Sequence, residues 1–236
     1  MSFKSSLVAA FDKYGIIYKS EQIDQFECFY NELVEYNNNV NLTAIVDEEE
    51  FIYKHLVDSL LPYEYMNKFS TILDIGAGAG FPSIPLKIIN PNLRFSCIDS
   101  VNKKIVWLNY IKSKLKIDSF HCFHGRCEDL AFDSKFRESF DCVVARGVAN
   151  LSTLLEYCVP FVKVGGVVVA YKASDYENEL NLAKNAIRIL GVELVEVKKY
   201  NDLEGFGCRN VLIFKKIQKT PSKYPRKLNK PRLNPI

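Results

Sequence analysis

The order of apolar and polar residues divides the chain into a helical first quarter and a longer part in which strand and helix patterns alternate. Apolar groups recur at i, i+3 and i+4 spacings over 3–14 and 21–36, which predicts two amphipathic helices. Ser20 is the predicted N-cap of the second helix. Asp47, followed by three glutamates, predicts the start of a third helix that ends before Pro62.

From residue 71 onward, short apolar runs rich in β-branched residues alternate with helical patterns. The predicted strands are 71–75, 94–99, 120–124, 141–146, 166–171, 194–199 and 210–215, and the helices between them are 82–90, 101–115, 151–159 and 176–190. This alternation favours a parallel sheet with helices on both faces. The last two strands have no helix between them, so a hairpin should make one of them antiparallel. The predicted fold class is therefore α/β, with a seven-stranded, mostly parallel, doubly wound sheet and an N-terminal helical extension.

These patterns predict three regions along the chain. We expect an N-terminal helical subdomain over 1–65, the sheet domain over 66–217 and a basic, proline-rich tail over 218–236. Four prolines interrupt the tail. Because proline cannot continue a regular helix, the tail is predicted to be extended or disordered when alone.

Composition narrows the class of protein. The 236 residues are 48% hydrophobic and 25% charged, which is typical of a soluble globular chain with one large domain and an appendage. No apolar run approaches the roughly 20 residues of a membrane span, and the N-terminus lacks a signal-peptide core. The seven cysteines are odd in number and form no Cys-x-x-Cys. We therefore expect a cytoplasmic protein with reduced thiols, no bound metal and no membrane contact.

Charge is distributed unevenly. The formal net charge is only +3, but residues 215–236 contain 8 of the 31 lysines and arginines and no acid. A basic tail on an acidic body predicts contact with a polyanion. The alternative is a tail that only increases solubility.

The strongest functional signal follows the first predicted strand. There the sequence reads Asp74-Ile75-Gly76-Ala77-Gly78-Ala79-Gly80-Phe81. Glycine accepts positive φ and lets a ligand approach the backbone, while the next helix N-terminus favours an anionic group. The dinucleotide fingerprint is G-x-G-x-x-G, whereas this G-x-G-x-G segment resembles motif I of the class I methyltransferases, which bind S-adenosylmethionine. A tight turn without a ligand is the alternative.

Acidic and basic side chains follow the other predicted strands. Asp99 lies about 20 residues beyond the glycines, where a carboxylate can accept hydrogen bonds from ribose hydroxyls; it is also a candidate helix N-cap. Glu128 or Asp129 is placed to accept from an adenine amino group, or else lies in a solvated turn. Arg146 is either a salt-bridged strand end or a ligand for the methionine carboxylate or an RNA phosphate.

Several longer stretches resemble the glucose-inhibited division protein B family of small-subunit ribosomal RNA methyltransferases over nearly the whole chain. The matching stretches are 41–45, 55–59, 74–85, 98–100, 126–128, 145–149 and 224–227. Cys127 and Gly147 stand where the family usually has alanine. The resemblance implies an S-adenosylmethionine-dependent enzyme that methylates N7 of a guanine in 16S rRNA. Its cofactor-binding residues would be Asp74, Gly76, Gly78, Gly80, Phe81, Asp99, Cys127, Glu128 and Arg146.

The implied chemistry explains why no catalytic residue is assigned. Guanine N7 carries a lone pair and no proton, so its attack on the sulfonium methyl needs orientation rather than a general base. The orienting candidates are Arg146, Lys172 and Arg209. For RNA binding, the tail offers Lys223, Tyr224, Arg226 and Lys227, which suit phosphates and base stacking. His55 and Asp58 are interpreted as a structural pair on one helix.

Two other functions compete with this interpretation. One is a nicotinamide-dependent Rossmann oxidoreductase, which the glycine spacing and the basic tail disfavour. The other is a non-catalytic rRNA-binding assembly factor that keeps the cofactor for its structure alone. In the favoured interpretation the partner is small-subunit ribosomal RNA or the ribosomal subunit, and the protein is expected to be a monomer.

Overall fold

Seven strands of the computed structural model, which describes residues 2–173 and 175–236, form one sheet. They are β1 Thr71–Ile75, β2 Arg94–Asp99, β3 Phe120–His124, β4 Phe140–Arg146, β5 Val162–Lys172, β6 Val192–Tyr200 and β7 Arg209–Lys216. Their order is β3-β2-β1-β4-β5-β7-β6. The first five strands pair in parallel, and β7 is antiparallel to both β5 and β6. The predicted fold class, including the antiparallel C-terminal hairpin, is confirmed.

Helices cover both faces of the sheet. They are α1 Phe3–Lys13, α2 Ser20–Asn37, α3 Glu48–Glu50, α4 Asp58–Leu60, α5 Tyr63–Met66, α6 Ser83–Ile89, α7 Asn102–Lys114, α8 Cys127–Leu130, α9 Leu151–Cys158, α10 Tyr176–Leu182, α11 Lys184–Leu190 and α12 Lys230–Leu233. A π-helix, Phe51–Val57, joins α3 to α4 without a break. No helix in the described part of the chain is long and apolar enough to cross a membrane.

The strands alternate between two hydrophobic clusters because successive side chains point to opposite faces. On β1 and β4, Ile72, Cys142 and Val144 pack with the N-terminal helices, whereas Leu73 and Val143 pack with helices of the second half. Fully buried central strands therefore read as continuous apolar runs. The first cluster unites the N-terminal helices with the sheet.

Aromatic side chains connect the N-terminal helices to the glycine segment. The ring centroid of Phe81 lies 5.3 Å from that of Phe29 and 5.7 Å from that of Phe51. His55 stacks on the same ring at 4.0 Å. Such contacts combine large buried areas with specific ring geometry. They fix the π-helix against the loop that follows β1.

The structure corrects some local predictions. Lys19, not Ser20, is the N-cap of α2, and its backbone N–H donates to the side chain of Gln22. The helix predicted over 176–190 is two helices, which meet at Ala183. The short helices α5, α8 and α12 were not predicted, because a single turn contains too few residues to show a 3.6-residue period.

The tail is not extended away from the protein. Residues 218–236, called the strap below, pack against the sheet domain. Arg137 donates hydrogen bonds to the backbone oxygens of Thr220, Pro221 and Tyr224. The helix α12 lies within the strap, near its end. The tail was predicted to be extended or disordered when alone. In this structure it is docked on the domain, because Arg137 supplies donors for its carbonyl oxygens.

Candidate active site

Two adjoining cavities open at the carboxyl ends of the parallel strands. The β1–β3 cavity, of about 250 Å³, is lined by Gly76, Asp99, Cys127, Glu128, Gly147 and others that include the strap residues Asn229 and Arg232. The β4–β5 cavity, of about 270 Å³, is lined by Asp58, Arg146, Gly147, Lys172, Glu179 and Arg209, among others. Both include Gly147. They lie beside β1 and β4, where the strand order reverses and open α/β sheets bind their ligands.

The glycine loop is held in one conformation. Gly76 has φ of +71°, and its N–H donates to the backbone oxygen of Ile98 at 2.8 Å. A Cβ at this position would lie 2.9 Å from Cγ2 of Val148, so a larger residue would strain the backbone and displace that side chain. Further along, Trp107 Nε1 donates to the backbone oxygen of Ala79 at 2.9 Å. These contacts fix the loop beside the β1–β3 cavity, which Gly76 lines.

Asp99 accepts hydrogen bonds from two backbone segments; it is not the predicted N-cap of α7, because Val101 takes that position. Its Oδ2 accepts from the backbone N–H of Gly78 at 3.0 Å, and its Oδ1 accepts from that of Val101 at 2.9 Å. The side chain is buried and lines the β1–β3 cavity. A carboxylate has about four lone-pair sites, so two remain for a ligand. The carboxylate thus holds the glycine loop and the start of α7 while still offering acceptors.

Glu128 presents a carboxylate oxygen, Oε1, that accepts no hydrogen bond, although Arg126 Nη1 lies 3.8 Å from it. It is 3% exposed, and Oε2 accepts a weak hydrogen bond from Cys127 Sγ at 3.3 Å. Oε1 has no hydrogen-bond partner. A buried polar atom left unpaired costs stability unless a ligand or water supplies the donor. Burial raises the pKa of the Cys127 thiol well above its usual range, which disfavours the thiolate that a nucleophilic cysteine needs.

Asp74 lies beneath the site rather than in it. It is fully buried, neither oxygen has a hydrogen-bond partner, and it lines neither cavity. Burial raises the pKa of its carboxyl to about 7, and neighbouring Ser83 and Arg146 offset part of the rise. Desolvation disfavours the charged form of a carboxyl that lacks partners.

The predicted cofactor residues therefore fall into three groups. Gly76, Asp99, Cys127 and Glu128 line the β1–β3 cavity, and Arg146 lines the β4–β5 cavity. Asp74, Gly78, Gly80 and Phe81 line neither cavity; they shape or support the loop. Gly80, for example, has φ of +104°, and a Cβ there would lie 2.6 Å from Ile84 Cγ1.

Arg146 is held on three sides. Its Nη1 donates to Asp58 Oδ2 at 2.7 Å and to the backbone oxygen of Lys54 at 3.0 Å, and its Nη2 lies 3.0 Å from His55 Nδ1. Burial, followed by the Arg146 charge, lowers the pKa of His55 to about 2. The imidazole is therefore neutral, with Nδ1 as acceptor, and its Nε2–H donates to Thr43 Oγ1.

This arrangement changes the interpretation of two residues. His55 and Asp58 were expected to pair with each other on a helix, but both bind Arg146 instead. The π-helix supplies His55 and the carbonyl of Lys54, and Asp58 begins the next turn. In this structure both side chains fix the guanidinium of Arg146, and Asp58 also lines the β4–β5 cavity.

The three orienting candidates meet in the β4–β5 cavity. Lys172, only 8% exposed at its side chain, donates to Glu179 Oε2 at 2.6 Å and to the backbone oxygen of Ala149 at 2.8 Å. Arg209 Nε lies 3.4 Å from Asp58 Oδ1. Each cation is thus paired with an acid. Sequence analysis missed Glu179, since a glutamate inside a helical pattern carries no signal that distinguishes it from a solvated one.

The four predicted RNA-binding residues lie in the strap, and they differ in how exposed they are. Tyr224 is 5% exposed, and Arg226 forms a bidentate ion pair with the fully buried Glu156, with Nη2 to Oε2 at 2.7 Å. In the docked strap neither is free to stack on a base or bind a phosphate. Lys223 and Lys227 are exposed. The RNA-binding prediction is therefore narrowed to these two lysines.

Within 2–173 and 175–236, no group of three or more His, Cys, Asp or Glu side chains is arranged to hold a metal ion. The cysteines in these ranges are all free thiols. The donors and acceptors around the two cavities include glycine backbone, carboxylates and cations. Such a set suits a nucleoside-like ligand, held by hydrogen bonds, beside a second polar ring.

Comparisons with known proteins agree with this geometry. A family model described as rRNA small subunit methyltransferase G matches residues 22–210. A ribosomal RNA small subunit methyltransferase G from Brevibacillus brevis is 43% identical over 94% of each chain, and one from Oceanobacillus iheyensis is 42% identical over 97% of each chain. Among solved structures, an O-methyltransferase from Bacillus cereus in complex with SAH superposes with a TM-score of 0.56 over 80% of this chain and 91% of its own, at 13% identity.

Proposed function

The chain belongs to the rRNA small subunit methyltransferase G family, and from that membership we propose how its two cavities divide the reaction. The enzyme transfers the methyl group of S-adenosylmethionine to N7 of a guanine in 16S rRNA. The β1–β3 cavity takes the adenosine part of the cofactor, and the β4–β5 cavity takes the guanine. The nicotinamide-dependent alternative is excluded by the family.

The observation that carries this division is the contact of the two cavities at Gly147, which lines both. Methyl transfer requires the donor and acceptor atoms to be held in line at near-attack distance. A cofactor in one cavity and a base in the other would meet at Gly147. This chain has glycine where the family usually has alanine. The φ of Gly147 is +67°, a backbone conformation that glycine adopts without strain.

The residues of the β1–β3 cavity fit the adenosine part of the cofactor. Asp99 has lone pairs left for the ribose hydroxyls, and the unpaired Oε1 of Glu128 suits the adenine amino group. Cys127 would contribute through its backbone. Both carboxylates are buried acceptors that have lone pairs left for a donor of the ligand.

The β4–β5 cavity offers guanine both kinds of partner. Guanine presents acceptors at O6 and N7 and donors at N1 and N2, and the cavity presents Lys172 and Arg209 beside Glu179 and Asp58. Because N7 carries no proton, none of these residues has to act as a base. Positive charge develops on the purine during transfer, and the paired carboxylates offset the nearby cations. Arg146 retains unused donors for the methionine carboxylate.

RNA contact outside the cavities is assigned to Lys223 and Lys227 of the strap. Both are exposed cations, which suits phosphate binding that positions the RNA without reading its sequence. The substrate is small-subunit rRNA, naked or within the subunit, and the enzyme acts as a monomer. Removing one phosphate contact, by replacing either lysine with alanine, should reduce the steepness of the plot of log RNA-binding constant against log salt concentration by about 1.

Two variants test the division between the cavities. Asp99→Ala should lose calorimetric binding of S-adenosylmethionine. Lys172→Met should keep that binding and lose methyl transfer to small subunits, because only guanine orientation is affected. Asp129→Asn, an exposed carboxylate next to Glu128, is the control. If Lys172→Met loses cofactor binding while Asp99→Ala retains it, the assignment of the two cavities is wrong.

A further inference from the structure

The C-terminal strap forms part of the wall of the β1–β3 cavity. Asn229 and Arg232 line this cavity together with residues that follow β1, β2 and β3. These two residues lie more than 80 positions beyond the end of β4 in the chain. The cofactor cavity is therefore incomplete without the last turn of the protein.

The strap is attached to the domain at several points. Arg137 donates to the carbonyls at the strap's start, and Arg226 pairs with the buried carboxylate of Glu156. Thr153 Oγ1 donates to the backbone oxygen of Pro231 at 2.7 Å. Glu156 and Thr153 both belong to α9, so that helix holds the strap at two places, while Arg137 holds its start.

Arg232 connects the strap to the junction of the cavities. Its Nη2 donates to the backbone oxygen of Val148 at 2.9 Å. The side chain of Val148 is the group that a Cβ at Gly76 would strike, and Gly147 precedes it. One hydrogen bond thus joins the strap to the turn that separates the two cavities and that packs on the glycine loop.

We propose that the strap is a component of the cofactor site and that Arg232 is a positioning residue, which acts through the Gly147–Val148 turn. When the strap is docked, this turn is fixed for the cofactor. When it is undocked, the cavity loses one wall and the turn loses its restraint. The inference rests on the proposed function, because it takes the β1–β3 cavity to be the site of S-adenosylmethionine.

Docking of the strap and cofactor binding should then stabilise each other. Any ligand that binds the docked form more tightly shifts the equilibrium toward it, and the coupling is reciprocal. A ligand in the cavity would not contact the other anchors of the strap, because Glu156, Thr153 and Arg137 do not line it. A ligand-dependent change within 218–236 would therefore report this coupling.

Calorimetry of S-adenosylmethionine binding to the full chain is the first test. Arg232→Ala should weaken binding about tenfold, the effect of losing a hydrogen bond from a charged donor. Arg232→Lys should restore part of the affinity. The control is Lys230→Ala, which removes one exposed charge from the same helix and should leave the affinity for S-adenosylmethionine unchanged. Methyl-transfer kinetics should show a raised KM for the cofactor with kcat nearly unchanged.

Hydrogen exchange supplies a measurement that needs no variant. Amides of 218–236 should exchange more slowly when S-adenosylmethionine is bound to the wild-type protein. Wild-type protein that binds no cofactor would contradict the proposed function. Wild-type binding with unchanged exchange in the strap, and with equal affinities for wild type and Arg232→Ala, would overturn this inference alone.

Discussion

Replacing the buried Asp74 by asparagine should make the protein more stable, and increasingly so as pH rises. Burial raises the pKa of this carboxyl from the usual 3.8 to about 7. The folded state therefore holds a proton that the unfolded state releases near pH 4. The resulting penalty is absent at low pH, grows between about pH 4 and pH 7 and is constant above pH 7, where it reaches about 4 kcal/mol.

Asparagine removes the titration while keeping nearly the same shape. At pH 5 the penalty in the wild type is still below about 2 kcal/mol, so the advantage of Asp74→Asn should grow by about 3 kcal/mol between pH 5 and pH 8. The buried amide adds a cost of its own, but that cost does not depend on pH. His55, whose lowered pKa makes stability fall as pH drops below 6.5, is present in both proteins and cancels in the difference.

The measurement is urea unfolding without cofactor at pH 5, 6, 7 and 8, followed by fluorescence of Trp107, the single tryptophan. That indole is fully buried, so its emission should change on unfolding. Asp129→Asn, at an exposed position, is the control: its difference in unfolding free energy from the wild type should be the same at each pH. A difference between wild type and Asp74→Asn that is equal at pH 5 and pH 8 would refute the reasoning.

Three further substitutions probe other contacts of the site. Asp58→Ala should lower the free energy of urea unfolding by about 3 kcal/mol, because the largely buried Arg146 loses its carboxylate. Asp58→Asn should lower it less, and an equal loss of unfolding free energy in the two variants would argue against the ion pair. Glu128→Gln should weaken S-adenosylmethionine binding about tenfold in calorimetry, since an amide donor can replace the free acceptor, whereas a large drop in melting temperature would point to a structural role. Trp107→Phe should cost about 1 kcal/mol through its lost bond to Ala79, as measured by circular dichroism; an unchanged stability would mean that the loop does not depend on this bond.

The sequence predicts the sheet well because its central strands are buried on both faces and form apolar runs that turns separate. The bounds of β1, β2 and β3 are those expected from apolar runs and strand-end acids. Asp99 was also placed correctly at the cavity, since the end of a parallel strand has a fixed position in this architecture. These features depend on local pattern, which the sequence records directly.

Other features depend on contacts between distant segments and leave no local pattern. The prolines of 218–236 suggested an extended tail, yet Arg137 and Glu156, more than 60 residues upstream, hold it in place. The same applies to Arg232, whose part in the cofactor cavity follows from a bond to Val148. The pairing of Asp58 with Arg146 is likewise a tertiary contact between the N-terminal helices and the sheet.

Methyl transfer to the proposed substrate is the most direct test of the central claim. Labelled S-adenosylmethionine would be incubated with this enzyme and small ribosomal subunits from cells that lack its gene, and the digested rRNA would be analysed by mass spectrometry. Label recovered as 7-methylguanosine at a single site is the predicted result. Label on a different atom, or no transfer by an enzyme that still binds the cofactor, would contradict the assignment of guanine N7 to the β4–β5 cavity.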